Sequence, residues 1–86
     1  MKLTKTIFLN NKKINTFEAE QEQAQIELFN LLISKTQNRY KIQIQFDHIT
    51  RTIKANLYFT HELANGQINK YKYNYFFSEV EDEIYL

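Results

Sequence analysis

Residues 40–77 read YKIQIQFDHITRTIKANLYFTHELANGQINKYKYNYFF. Tyr40, Ile42, Ile44 and Phe46 alternate with Lys41, Gln43, Gln45 and Asp47. Successive side chains of a strand point to opposite faces, so this pattern predicts a strand with one apolar and one wet face. Ile53, Ala55, Leu57 and Phe59 repeat it against Lys54, Asn56, Tyr58 and Thr60. Tyr71, Tyr73, Tyr75 and Phe77 repeat it against Lys70, Lys72, Asn74 and Phe76. Three such runs in succession predict an antiparallel meander, on which the rest of the chain must pack.

The turns set its register. A two-residue Asn65-Gly66 turn would put Phe59 opposite Lys72 and Leu57 opposite Asn74, with the apolar sets on opposite faces. A three-residue loop, Ala64-Asn65-Gly66, with Gly66 left-handed as a bulge, removes the conflict. Phe59 then meets Tyr71, Leu57 meets Tyr73, Ala55 meets Tyr75 and Ile53 meets Phe77. The earlier turn, read as a four-residue loop over 49–52, places Phe46 opposite Ala55 and Ile44 opposite Leu57.

Towards the N-terminus, residues 3–9 predict a strand in which Leu3, Ile7 and Leu9 share a face with Lys5, and Phe8 shares the other with Thr4 and Thr6. Asn10-Asn11 can supply the two positive φ values of a type I′ turn. A return strand over 12–17 would set Ile14 across from Ile7; the alternative is a loop. A helix follows, from 16–20 to Lys35. Asn15 or Thr16 caps it, unless the return strand runs through Glu18 and the helix begins nearer Gln21. Ala24, Leu28, Leu31 and Leu32 form one stripe at helical spacing. Ile26, Phe29 and Ile33 form a second, about 140° around from the first. It either widens the buried face or makes a self-association surface. Residues 34–38 are polar and end the helix. At the other end, Ser78 to Leu86 is acidic, with Val80, Ile84 and Leu86 interspersed. Ser78 and Glu81 have capping-box spacing, so this segment is either a short helical turn or an extended tail.

The expected fold is α+β: a single domain over 1–86, one helix packed on a mostly antiparallel sheet of four or five strands, in the order β(β)αβββ. The expected core is Ile7, Leu9, Ala24, Leu28, Leu31, Leu32, Ile42, Ile44, Phe46, Ile53, Leu57, Phe59, Tyr71, Tyr73 and Tyr75.

Composition narrows the function. Cysteine is absent, which excludes disulfides and thiolate metal sites. With one glycine, tight backbone cradles for a cofactor are not expected. Formal net charge is +1, so the molecule as a whole is not an electrostatic nucleic-acid binder. The apolar run at 7–9 stops at Asn10-Asn11-Lys12-Lys13, too short for a signal peptide, and no stretch reaches transmembrane length. The cytoplasm is the expected compartment. Ile, Lys, Asn, Phe and Tyr dominate, which fits an AT-rich coding source such as a phage or plasmid.

No catalytic triad, phosphate loop or paired-carboxylate signature is visible. His48, read opposite Ile53, and His61, read opposite Tyr40, lie about 25 Å apart and cannot share a metal ion. The expectation is a non-enzymatic protein with no metal and no cofactor.

Three surfaces are candidates. The wet face of the meander carries Arg39, Lys41, Lys54, Lys70 and Lys72 around Tyr58 and Phe76, opposed only by Asp47. It is a solvated face, a protein-contact face or a nucleic-acid face. Glu79, Glu81, Asp82 and Glu83 form an acidic end, either solvated or a docking strip for a basic surface. Ile26, Phe29 and Ile33 are the candidate dimer interface. The leading expectation is a small binding protein that acts by surface occlusion of a host protein, as a phage- or plasmid-encoded inhibitor of the anti-CRISPR type. The alternatives are a nucleic-acid-binding module and a homodimeric accessory protein.

Overall fold

The computed structural model describes residues 1–81. The chain runs β1 (Lys2–Leu9), β2 (Lys12–Glu20), α1 (Gln21–Thr36), β3 (Lys41–Asp47), β4 (Thr52–Glu62) and β5 (Ile68–Ser78). The strands form one antiparallel sheet in the order β2-β1-β5-β4-β3, with the helix on one face. This is the α+β fold read from the sequence, with the return strand present.

Asn10 (φ 49°) and Asn11 (φ 68°) make the tight turn between β1 and β2. The expected pairing of Ile14 with Ile7 does not occur. A bulge lies there: Phe8 pairs with Lys13, but Ile7 pairs with Asn15. Ile14 is the extra residue and stays 52% exposed. The bulge has a packing cause. It shifts the pairing by one residue, so Phe17 pairs with Lys5 and Ala19 with Leu3, on the helix side. An unbroken ladder would have turned Phe17 and Ala19 to solvent.

β2 therefore continues through Glu20, and the helix starts at Gln21 rather than at an Asn15 or Thr16 cap. Glu20 is the N-cap residue but makes no side-chain cap bond. The Gln21 N–H instead donates to the Met1 carbonyl, 2.8 Å away. Asn15 Oδ1 accepts from the Thr16 N–H, within the strand. The helix ends in a Schellman motif: Asn38 is left-handed (φ 54°), its N–H donates to Lys35 O, and the Arg39 N–H donates to Ser34 O.

In the β4–β5 hairpin the expected register holds. Phe59 pairs with Tyr71, Leu57 with Tyr73, Ala55 with Tyr75 and Ile53 with Phe77. Gly66 has φ 88°, and its N–H donates to Leu63 O. The β3–β4 register differs from the expected one by two residues. Phe46 pairs with Ile53, Ile44 with Ala55 and Ile42 with Leu57. Asp47 decides this, because its Oδ1 accepts the N–H groups of Ile49 and Thr50 and so draws the turn in to 48–51. His48 consequently lies in the turn, and His61 pairs with Asn69 in the other hairpin. A slip of two keeps parity, so every side chain stays on its expected face.

The core is graded along the sheet. Leu3, Ala19, Ile53 and Phe77 are buried at one end beneath Ala24, Leu28 and Leu31. Val80 joins them, its N–H donating to Arg51 O. At the other end Phe59, Tyr71, Tyr73, Ile7 and Leu9 are half-buried. The cause is length. Eleven-residue strands span about 36 Å, whereas a sixteen-residue helix spans about 24 Å. Phe46, expected in the core, is 42% exposed because it lies on the edge strand. Met1, Leu3, Ala19, Ala55, Phe77 and Val80 are buried although the expected core omitted them. Lys5 fastens helix to sheet: its Nζ lies 3.7 Å from Glu27 Oε2 and over the rings of Tyr73 and Tyr75. Burial pushes the Tyr75 hydroxyl well above its ordinary pKa, with the Glu27 charge adding to the shift.

Candidate functional site

The face of the sheet away from the helix has no covering layer among the described residues. Antiparallel pairing sets directly opposed side chains on the same face, so the registers define rows across the strands. The most distinctive row crosses all five: Lys13 on β2, Phe8 on β1, Lys72 on β5, Tyr58 on β4 and Lys41 on β3. Cations and rings alternate. Lys72 Nζ lies 4.6 Å from the Phe8 ring centre, and Lys41 Nζ lies 5.5 Å from the Tyr58 ring centre.

Beside this row stands an uncharged one: Thr16, Thr6, Asn74, Asn56 and Gln43. The next contains Glu18, Thr4, Phe76, Lys54 and Gln45. Phe76 is 40% exposed and, with Lys54, Gln45, Asp47, Thr50 and Thr52, lines an open cleft of about 340 Å³. Carboxylates lie at the rim: Glu18 and Glu20 on one edge strand, Asp47 at the end of the other, and Glu62 at the far end of β4. Hydrogen bonds from Thr50, then the Ile49 N–H and the charge of Lys54, hold the Asp47 carboxyl below its ordinary pKa. The basic row runs from edge to edge, ending in Lys13 and Lys41, and the carboxylates lie to either side of it.

The structure brings together most of the residues expected on this face. Lys72 pairs with Tyr58, Lys54 with Phe76, and Lys70 with Thr60. Arg39 is not among them. It closes the Schellman motif in the α1–β3 connection, where helix capping takes precedence over strand pairing. Phe8 and Lys13 belong to the row although sequence reasoning did not include them. Their place depends on the pairing of β1 with β5, strands far apart in the chain, and on the bulge in β2.

Of the acidic end, Glu79 ion-pairs with Lys2 at 3.8 Å between exposed side chains. Ser78 belongs to β5 and Glu81 is exposed; Asp82, Glu83, Ile84 and Leu86 lie outside the described residues. Glu79 is left-handed (φ 54°), so residues 78–81 do not form the helical turn. Ile26, Phe29 and Ile33 are 57%, 44% and 53% exposed. The second helix stripe therefore does not widen the buried face. Among the described residues, no three His, Asp or Glu side chains stand where they could hold a metal ion, and no helix is long and apolar enough to cross a membrane.

No family model, curated protein or solved structure matches the chain.

Proposed function

We propose that this is a non-enzymatic binding protein whose outer sheet face occludes an acidic surface on a partner protein. The observation that carries the reading is the position of the ammonium groups in the central row. A sheet that binds single strands offers open ring faces on which bases stack. Here Lys72 and Lys41 lie over Phe8 and Tyr58, so a face of each ring is already covered. Rings held in place by their lysines suit a flat protein contact, with aromatic anchors surrounded by peripheral charge. Glu18, Glu20 and Asp47 towards one end of the sheet, and Glu62 towards the other, confine the positive charge to one band, which suits a bounded acidic patch on a partner.

The narrower form of the reading makes the target a host defence protein, such as a CRISPR effector. It is supported by the Ile-, Lys- and Asn-rich composition of the chain.

Two measurements test the reading together. The purified protein should show no measurable binding to generic single- or double-stranded oligonucleotides at physiological salt. Nuclease-treated capture from cells expressing the protein should yield a partner protein that Tyr58→Ala releases more readily than Lys70→Ala does. Sub-micromolar oligonucleotide binding, with a log–log salt slope of about −0.7 per phosphate contact, would overturn the reading and make the face a nucleic-acid platform.

A further inference from the structure

The two sides of α1 differ in what meets them. Ala24, Leu28 and Leu31 are buried against the sheet. Ile26, Phe29 and Ile33 lie about 170° around the helix from them, at about 100° per residue, and are exposed on the side turned away from the sheet. A contiguous apolar patch of this kind marks a contact surface. The spacing of the three, three residues and then four, is that of the seam between two packed helices. Among the described residues α1 is the only helix, so the helix that fits this seam belongs to another molecule.

The surroundings of the seam select a second copy of the chain. Gln23, Gln25 and Asn30 flank it and carry no charge, so nothing beside it favours an acidic or a basic partner. Glu27 is turned to Lys5 on the sheet side. One charge stands in line with the seam: Glu22, one turn before Ile26. Parallel pairing of two copies would set the two Glu22 carboxylates together. Antiparallel pairing puts them at opposite ends and opposes the two helix dipoles. Two antiparallel registers keep the seam filled. One sets Ile26 opposite Phe29 and buries Glu22 against Ile33, at the cost of desolvating an unpaired carboxylate. The other sets Phe29 opposite Ile33 and Ile26 opposite Thr36, and carries Glu22 past the end of the second copy's helix. Thr36 suits that place, because its hydroxyl already donates to the Leu32 carbonyl.

We infer that this seam is a homodimerisation surface, on which two copies pack antiparallel with Phe29 of each against Ile33 of the other. The layers then run sheet, helix, helix, sheet. Both outer sheet faces point outward, so the dimer neither requires nor blocks the contact proposed above. Its area sets its strength. A sixteen-residue helix, about 24 Å long and about 10–12 Å across, covers a few hundred Å². A standard interface covers about 800 Å² per partner. The association is therefore weak and forms at high micromolar concentration.

Sedimentation equilibrium of the full chain tests it. The wild type forms dimers at high micromolar concentration. Phe29→Glu and Ile33→Lys each keep the wild-type circular dichroism and each weaken association by about tenfold or more, because a dimer of either buries two unpaired charges. Mixing the two variants restores association. In the mixed pair the introduced charges meet in one layer, and the other layer keeps its native Phe29 and Ile33. A folding defect would not be repaired by mixing. Tyr58→Ala, on the outer face, dimerises as the wild type does. A wild-type monomer at high micromolar concentration overturns the inference. So does a dimer that survives both helix substitutions, a mixture that fails to associate, or a loss of association in Tyr58→Ala, which would move the contact to the outer face.

Discussion

Phe76 and Phe77 are neighbours in one strand and belong to different surfaces. Phe77 is fully buried between the sheet and α1, while Phe76 is 40% exposed on the outer face. The same alternation that places one ring in the core places the next among lysines. Burial explains the first, because removing a large apolar side chain from water stabilises the fold. It does not explain the second. Phe8, Tyr58 and Phe76 contribute rings to a face with no layer over it among the described residues, where threonine or glutamine would serve a purely solvated sheet as well. A cluster of rings that folding does not require is the kind of surface that contacts a partner.

The contrast can be broken at its largest difference. Phe77→Ala should cost about 3–5 kcal/mol, as deletion of a fully buried aromatic does. That is a large part of the whole stability of a chain this size. Phe76→Ala should stay within about 1 kcal/mol. Urea denaturation of both variants measures it, and equal losses would mean that the two faces are not distinct.

A smaller effect is expected where the register that separates the faces is set. A Cβ added at Gly66 meets nothing within 4 Å, so Gly66→Ala is strained only through its φ of 88°. It should lower stability by about 1 kcal/mol. Gly66→Asn should lower it less, since asparagine tolerates the left-handed region. A cost for alanine within error would show that the loop can keep its register without a left-handed residue.

The smallest effect concerns the other turn. The folded-state pKa of Asp47 is depressed below its ordinary value of 3.8. Its contribution to stability is therefore present above pH 3.8 and is lost as pH falls through the lowered folded value. Asp47→Asn should flatten the acid limb of the pH–stability curve slightly, because the group is exposed. An unchanged limb would mean that the carboxylate does not hold the 48–51 turn.

How legible these features were depends on the physics that sets each one. Parity was legible, because a wrong β4–β5 loop length turned Tyr71, Tyr73 and Tyr75 outward. The β3–β4 register was not, since a slip of two preserves parity and only the Asp47 turn chemistry distinguishes the alternatives. The β2 bulge left a trace: Ile14 is out of phase with Phe17 and Ala19, and one inserted residue is what restores the phase. The central row of the site was only half visible. Tyr58 and Lys72 meet within one hairpin, and their pairing follows from the loop. Phe8 reaches Lys72 through β1–β5 pairing, which no local pattern specifies.

The most direct test of the outer face is the affinity of the nuclease-treated, captured partner for four versions of the chain: wild type, Tyr58→Ala, Lys72→Glu and Phe29→Glu. If the face makes the contact, Tyr58→Ala and Lys72→Glu each weaken binding by about tenfold or more, and Phe29→Glu binds as wild type does. Undiminished binding by both outer-face variants, or a loss confined to Phe29→Glu, would contradict the account.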